Sequence, residues 1–171
     1  MKPTAYCAIA VAALLPVAAA CGDDDDDGLE PGTNFSATLS GTEEDPPVVT
    51  DATGTATLSV ADGQITYTIT VENLENAVVS HIHVAPPGEN GPVRMNLCGT
   101  GAPLPDCVSG TGVLASGSNG ETIDMTFDEL VAAMQTGNAY VNVHTDDGAP
   151  PPNTGAGDMA SGEIRGQIVA D

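Results

Sequence analysis

The feature that most constrains this chain is a two-residue alternation over residues 65–73. Ile65, Tyr67, Ile69 and Val71 take every second position, and Thr66, Thr68 and Thr70 fill the gaps. Successive side chains of an extended strand point to opposite faces, so this stretch has one apolar face and one wet face. A helical period of 3.6 would scatter the same residues around the axis. Residues 54–60 repeat the pattern with Ala56, Leu58 and Val60, and Asp62-Gly63 lies between the two runs. Asp-Gly accepts the positive φ that a tight hairpin turn demands, so residues 54–73 read as a β-hairpin. Phe35, Ala37 and Leu39 alternate with Ser36, Thr38 and Ser40 as a first strand, which ends at Glu43-Glu44-Asp45-Pro46-Pro47. One-faced strands of this kind must lay their apolar sides together, which makes the chain an antiparallel all-β protein.

The rest of the chain fits that class. The 20 Gly and 13 Pro supply turns, and with aromatic content of 3% and no Trp the core must be aliphatic. Further strands are expected at 78–84, 93–98 and 140–145, a closing one at 162–169, and weaker ones at 111–114 and 123–125. One segment changes period. Thr126-Phe127-Asp128-Glu129 is a capping box, Gly137 a stop, and Phe127, Leu130, Val131 and Met134 share a helical face, so a short helix is expected at about 127–136. Residues 146–162 form a Gly-, Pro- and Asp-rich loop longer than most in compact domains.

Residues 1–20 read as an export signal. Lys2 is the only charge, and the apolar stretch 8–20 is too short for a stable membrane span. The sequence Ala18-Ala19-Ala20-Cys21-Gly22 resembles a bacterial lipobox, with Ala18 where Leu is usual, so that Cys21 would be lipidated and become the new N-terminus. Ordinary Ala-x-Ala cleavage, which would give a soluble secreted or periplasmic protein, is the alternative. Residues 21–33, with five consecutive aspartates from Asp23 to Asp27, then form an acidic tether, and the folded domain spans 34–171. With Lys+Arg 3 against Asp+Glu 24, the net charge of −21 excludes a nucleic-acid binder and disfavours docking on anionic lipid. Contact with the membrane is expected only through the N-terminal lipid. Such acidity serves solubility or attracts cations such as calcium.

Of four cysteines, Cys7 leaves with the signal and Cys21 carries lipid, which leaves Cys98 and Cys107 as a disulfide pair. The three histidines are more informative. His81 and His83 are two apart in the strand 78–84 and point the same way; His144 sits in a similar run, Tyr140-Val141-Asn142-Val143-His144. If these strands are neighbours, three imidazoles converge into a mononuclear copper or zinc site, with Glu163 or Asp146 available to add a carboxylate. The competing arrangement pairs the histidines across strands and bonds them to loop backbone. No nucleophile–base set or phosphate-binding Gly loop accompanies them, so no enzyme is expected. Arg165, two residues after Glu163, is expected in an ion pair, and Asn90-Gly91 in a turn.

Several segments together resemble the CHRD family, named for the repeated domain of chordin. They are His81-Ile82-His83, then Gly88-Glu89-Asn90-Gly91-Pro92-Val93, the helix end from Leu130 to Gly137, Ala139-Tyr140-Val141-Asn142-Val143-His144-Thr145, and Gly162-Glu163-Ile164-Arg165-Gly166-Gln167-Ile168. The long segment between Thr145 and Gly162 and the Cys98–Cys107 loop depart from the family pattern. The resemblance implies an extracellular, immunoglobulin-like antiparallel β-sandwich and no established activity. The expectation is therefore an exported, lipid-anchored protein with a non-enzymatic binding or structural role toward an unidentified protein or envelope partner. The alternative is a copper- or zinc-binding or redox protein using His81, His83 and His144.

Overall fold

A computed structural model describes residues 33–171; the expected signal, Cys21 and nearly all of the tether lie outside them. Nine strands and one helix follow in order: β1 Asn34–Ser40, β2 Thr53–Ala61, β3 Gln64–Leu74, β4 Ala77–Val84, β5 Val93–Cys98, β6 Gly110–Asn119, α1 Phe127–Gln135, β7 Ala139–Thr145, β8 Ile164–Gln167 and β9 Val169–Ala170. They form one antiparallel sheet in the order β5-β4-β7-β8-β1-β2-β3-β6, with β9 added on β1. The sheet curls into a nearly closed, sandwich-like barrel. A bond from Asn119 Nδ2 to Asn96 O, 2.9 Å, reaches between the end strands β6 and β5.

The alternating runs dictate this. Phe35, Leu39, Ile65, Tyr67, Ile69 and Val71 are buried as the period-two pattern requires, and the outward Thr66, Thr70, Thr55 and Thr57 are exposed. Asp62 and Gly63 both take positive φ, 51° and 71°, which turns β2 tightly into β3. Thr126 caps α1: its hydroxyl accepts from Glu129 N–H, and Glu129 Oε2 accepts from Thr126 N–H at 2.8 Å. Leu130 and Met134 enter the core. Cys98 and Cys107 are disulfide-bonded with Cα atoms 5.3 Å apart.

Three local expectations are corrected. Residues 123–125 are a bend, since Arg94 Nη1 donates to the carbonyls of Ile123 and Asp124 (3.0 and 3.3 Å) and Asp124 takes φ 52°. The weak strand at 111–114 extends to Asn119. Its Gly and Ser residues carry no apolar signal, yet Gly117 is required because a Cβ there would lie 2.9 Å from the buried Tyr67 hydroxyl. The closing strand breaks at Ile168, whose N–H turns to Ala139 O at 2.8 Å, leaving β9 to pair with β1.

Candidate metal centre

β4 and β7 are neighbours, with His81 opposite Asn142, His83 opposite Tyr140 and Val79 opposite His144. Directly opposed residues share a face. The face opposite the Ile82–Val141 pair therefore carries His81, His83, Tyr140, Asn142 and His144, continued on β8 by Arg165 across from Asn142. The three imidazoles form a triangle with ring centroids 5.1, 5.7 and 6.0 Å apart. One nitrogen from each lies within 4.8 Å of the others.

The two readings of the histidines turn out to be compatible. His83 Nδ1 bonds Gly91 O at 2.9 Å, and His144 Nδ1 bonds Ala160 O at 3.0 Å. A carbonyl only accepts, so both Nδ1 atoms carry hydrogen and, in the neutral rings, both Nε2 atoms present bare lone pairs. His83 Nε2 is buried with no hydrogen-bond partner. His144 Nε2 meets His81 Nδ1 at 3.3 Å, with His81 donating. Backbone carbonyls that fix the ring and leave one nitrogen free are the usual outer support of imidazole ligands.

The surroundings keep the rings neutral. His81 is pushed down to about 4, by burial first and then by the neighbouring His144 and His83. Burial also lowers His83 and His144, and the bonds to Gly91 and Ala160 oppose it only in part. Tyr140 stacks on His83 at 4.9 Å and 13°, and the Arg165 guanidinium lies 4.4 Å from the other partner of that stack, the Tyr140 ring centroid. Arg165 is 2% exposed and donates to Asn90 Oδ1 and Glu89 O rather than to Glu163. Glu163 is occupied elsewhere: it accepts from Thr50, Thr145 and Gly157. Asp146 belongs to a different cluster, so neither expected carboxylate joins the histidines.

Sequence reading overlooked the loop groups. Asn90-Gly91 is an anchor, not a turn. Gly91 O holds His83, Gly91 N donates to Tyr140 Oη at 3.1 Å, and a Cβ at Gly91 would lie 2.1 Å from Val84 O. Buried Glu44 stands over the same face. Burial raises it to about 7, partly offset by the Arg165 charge and the Asn142 amide. Tyr140 and Asn142 were within reach, since they alternate in phase with His144; nothing local marks Glu44 or Ala160.

A family model for the CHRD domain matches residues 35–168, from the first strand to the end of the last core strand. The chain belongs to the CHRD domain family. No curated protein and no solved structure matches it. The match takes in both histidine strands of this CHRD domain and the loops that supply Gly91 and Ala160. CHRD domains are typically extracellular. Among the described residues no helix is long and apolar enough to cross a membrane.

Proposed function

We propose that this CHRD domain is a non-enzymatic binding module whose ligand is one copper or zinc ion, held by His81, His83 and His144. The observation that carries this reading is His83 Nε2, buried and unpartnered on a ring that the Gly91 carbonyl holds at Nδ1 and that has a nitrogen within 4.8 Å of two more imidazoles. The 3.3 Å between His81 Nδ1 and His144 Nε2 also fits, with the His81 hydrogen moved to Nε2 when the ion takes its place between the two rings. Two nitrogens about 2.0–2.1 Å from one tetrahedral metal are separated by about 3.3–3.4 Å. Imidazole suits both metals, and copper(II) binds more tightly at a given nitrogen site. His81 and His144 are only partly buried, which leaves the ion a route in and a position open to water. Three histidines support one ion.

The leader supports placing this module outside the cytoplasm, attached to the envelope through acylated Cys21. A diacylated N-terminal Cys holds a membrane where a single chain does not. The disulfide agrees with an oxidising compartment. A partner, if one is bound, is another envelope protein rather than nucleic acid. The test of the metal reading is elemental analysis of protein purified without an affinity tag. It should hold close to one equivalent of copper or zinc, and His83→Ala should lose it; a metal-free wild type that cannot be reloaded would overturn the assignment. For the anchor, Cys21→Ala should move the protein from the membrane to the soluble fraction, and continued attachment would refute it.

A further inference from the structure

A second set of ligating groups lies in the long loop that follows β7. Asp146, Asp147 and Asp158 each bring a carboxylate oxygen to within 4.8 Å of the others. Neutral donors hold them there. Asp146 Oδ1 accepts from Gly148 N at 2.7 Å and Asp147 Oδ1 from Ala149 N at 2.8 Å. Asp158 Oδ2 accepts from Thr154 N and Oγ1 at 2.9 and 2.6 Å. Among the described residues both arginines are engaged elsewhere, Arg94 with Ile123 and Asp124 and Arg165 with Glu89 and Asn90. The three negative charges are therefore gathered without a protein counter-charge.

A separate observation points to a missing ligand. Asp158 is only 3% exposed, and its Oδ1 is buried with no hydrogen-bond partner. Folded proteins rarely leave a buried carboxylate oxygen unpaired, and a bound cation is one way to satisfy it. The bonds from Thr154 hold the Asp158 carboxyl below its ordinary range, so it is ionised and ready to coordinate.

We propose that Asp146, Asp147 and Asp158 form a calcium site. Oxygens about 2.3–2.6 Å from one calcium lie up to about 5 Å apart, and the 4.8 Å limit falls inside that span. Magnesium, with bonds of about 2.0–2.1 Å and a strict octahedron, gives up its waters reluctantly and is the poorer match for three carboxylates gathered by a loop. The cluster offers no nitrogen or sulfur, which separates it chemically from the three histidines. The same loop gives its Ala160 carbonyl to His144, and its Met159 pairs with Thr145, so calcium also steadies one support of the histidine centre.

The test is calorimetric titration of the chelator-stripped full chain with calcium chloride. The wild type should bind one equivalent saturably, with Kd between about 10⁻⁵ and 10⁻³ M, and magnesium chloride should bind at least about ten-fold more weakly. The double variant Asp146→Asn, Asp147→Asn alters two exposed side chains and spares the bonds from Thr154; it should weaken calcium at least about ten-fold. Asp158→Asn should do the same. His83→Ala should bind calcium as the wild type does, which keeps this result independent of the copper or zinc reading. The proposal fails if the wild type shows no saturable calcium binding. It also fails if the double variant titrates like the wild type, since the signal would then be diffuse attraction to a chain of net charge −21. Should Asp158→Asn not fold, the double variant decides alone.

Discussion

At the scale of residues, the histidine face holds two kinds of buried titratable group with opposite demands. His81, His83 and His144 fold as neutral rings with lowered pKa values, so acid works against the fold as pH falls from 6.5 toward the folded value, about 4 for His81. Glu44 does the reverse. Its carboxyl is raised from 4.5 to about 7, so the stability it contributes is complete below 4.5 and is lost as pH rises through 7. Two buried oxygens without partners, Glu44 Oε1 and Asn142 Oδ1, face Gly162, where a Cβ would lie 2.8 and 2.7 Å from them. Protonated Glu44 can donate to Asn142 Oδ1 there. Glu44→Gln should therefore bring the urea midpoint at pH 8 closer to that at pH 5 than in the wild type; an unchanged gap between the two pH values would show that Glu44 does not titrate in the fold. The facing of the histidines was legible in the sequence because a strand's period is local. The groups that orient them were not, because Gly91 and Ala160 act through backbone carbonyls and Glu44 arrives from a loop far along the chain.

At the scale of elements, legibility followed periodicity. The β2–β3 hairpin was readable because alternation and Asp62-Gly63 agree, and α1 because cap, apolar face and stop coincide. The second half of β6 was hidden. Ser116, Gly117 and Ser118 are strand residues because β3 lies beside them and Tyr67 beneath, a tertiary cause with no local trace. The loop that joins β5 to β6 is closed by Cys98–Cys107 at a sequence separation of 9. Closing so short a loop stabilises the fold by about 2.5–3 kcal/mol on the chain-entropy account. The double variant Cys98→Ser, Cys107→Ser should lose about that much in urea unfolding under non-reducing conditions. A loss below about 0.5 kcal/mol would mean that the open chain already holds the loop in place.

At the scale of the molecule, a sheet that rolls nearly shut gathers an aliphatic core inside, while loops cover the histidine face outside. The all-β class was legible from the strands, whereas a single curled sheet was not, since pairing order is a long-range property. The chain carries a net charge of −21, and self-repulsion opposes compaction. Metal-free protein should accordingly gain thermal stability as ionic strength rises from about 0.01 to 1 M, where the screening length falls from about 30 to 3 Å. A midpoint indifferent to sodium chloride would show the charges to be too dispersed to matter. The central claim is that three imidazoles converge on one ion. Its most direct test is the electron paramagnetic resonance spectrum of the stripped protein loaded with one equivalent of copper(II). Coordination by His81, His83 and His144 predicts a single copper species with hyperfine structure from imidazole nitrogens, lost in His83→Ala. A spectrum without nitrogen coupling, or one that His83→Ala leaves unchanged, would contradict it.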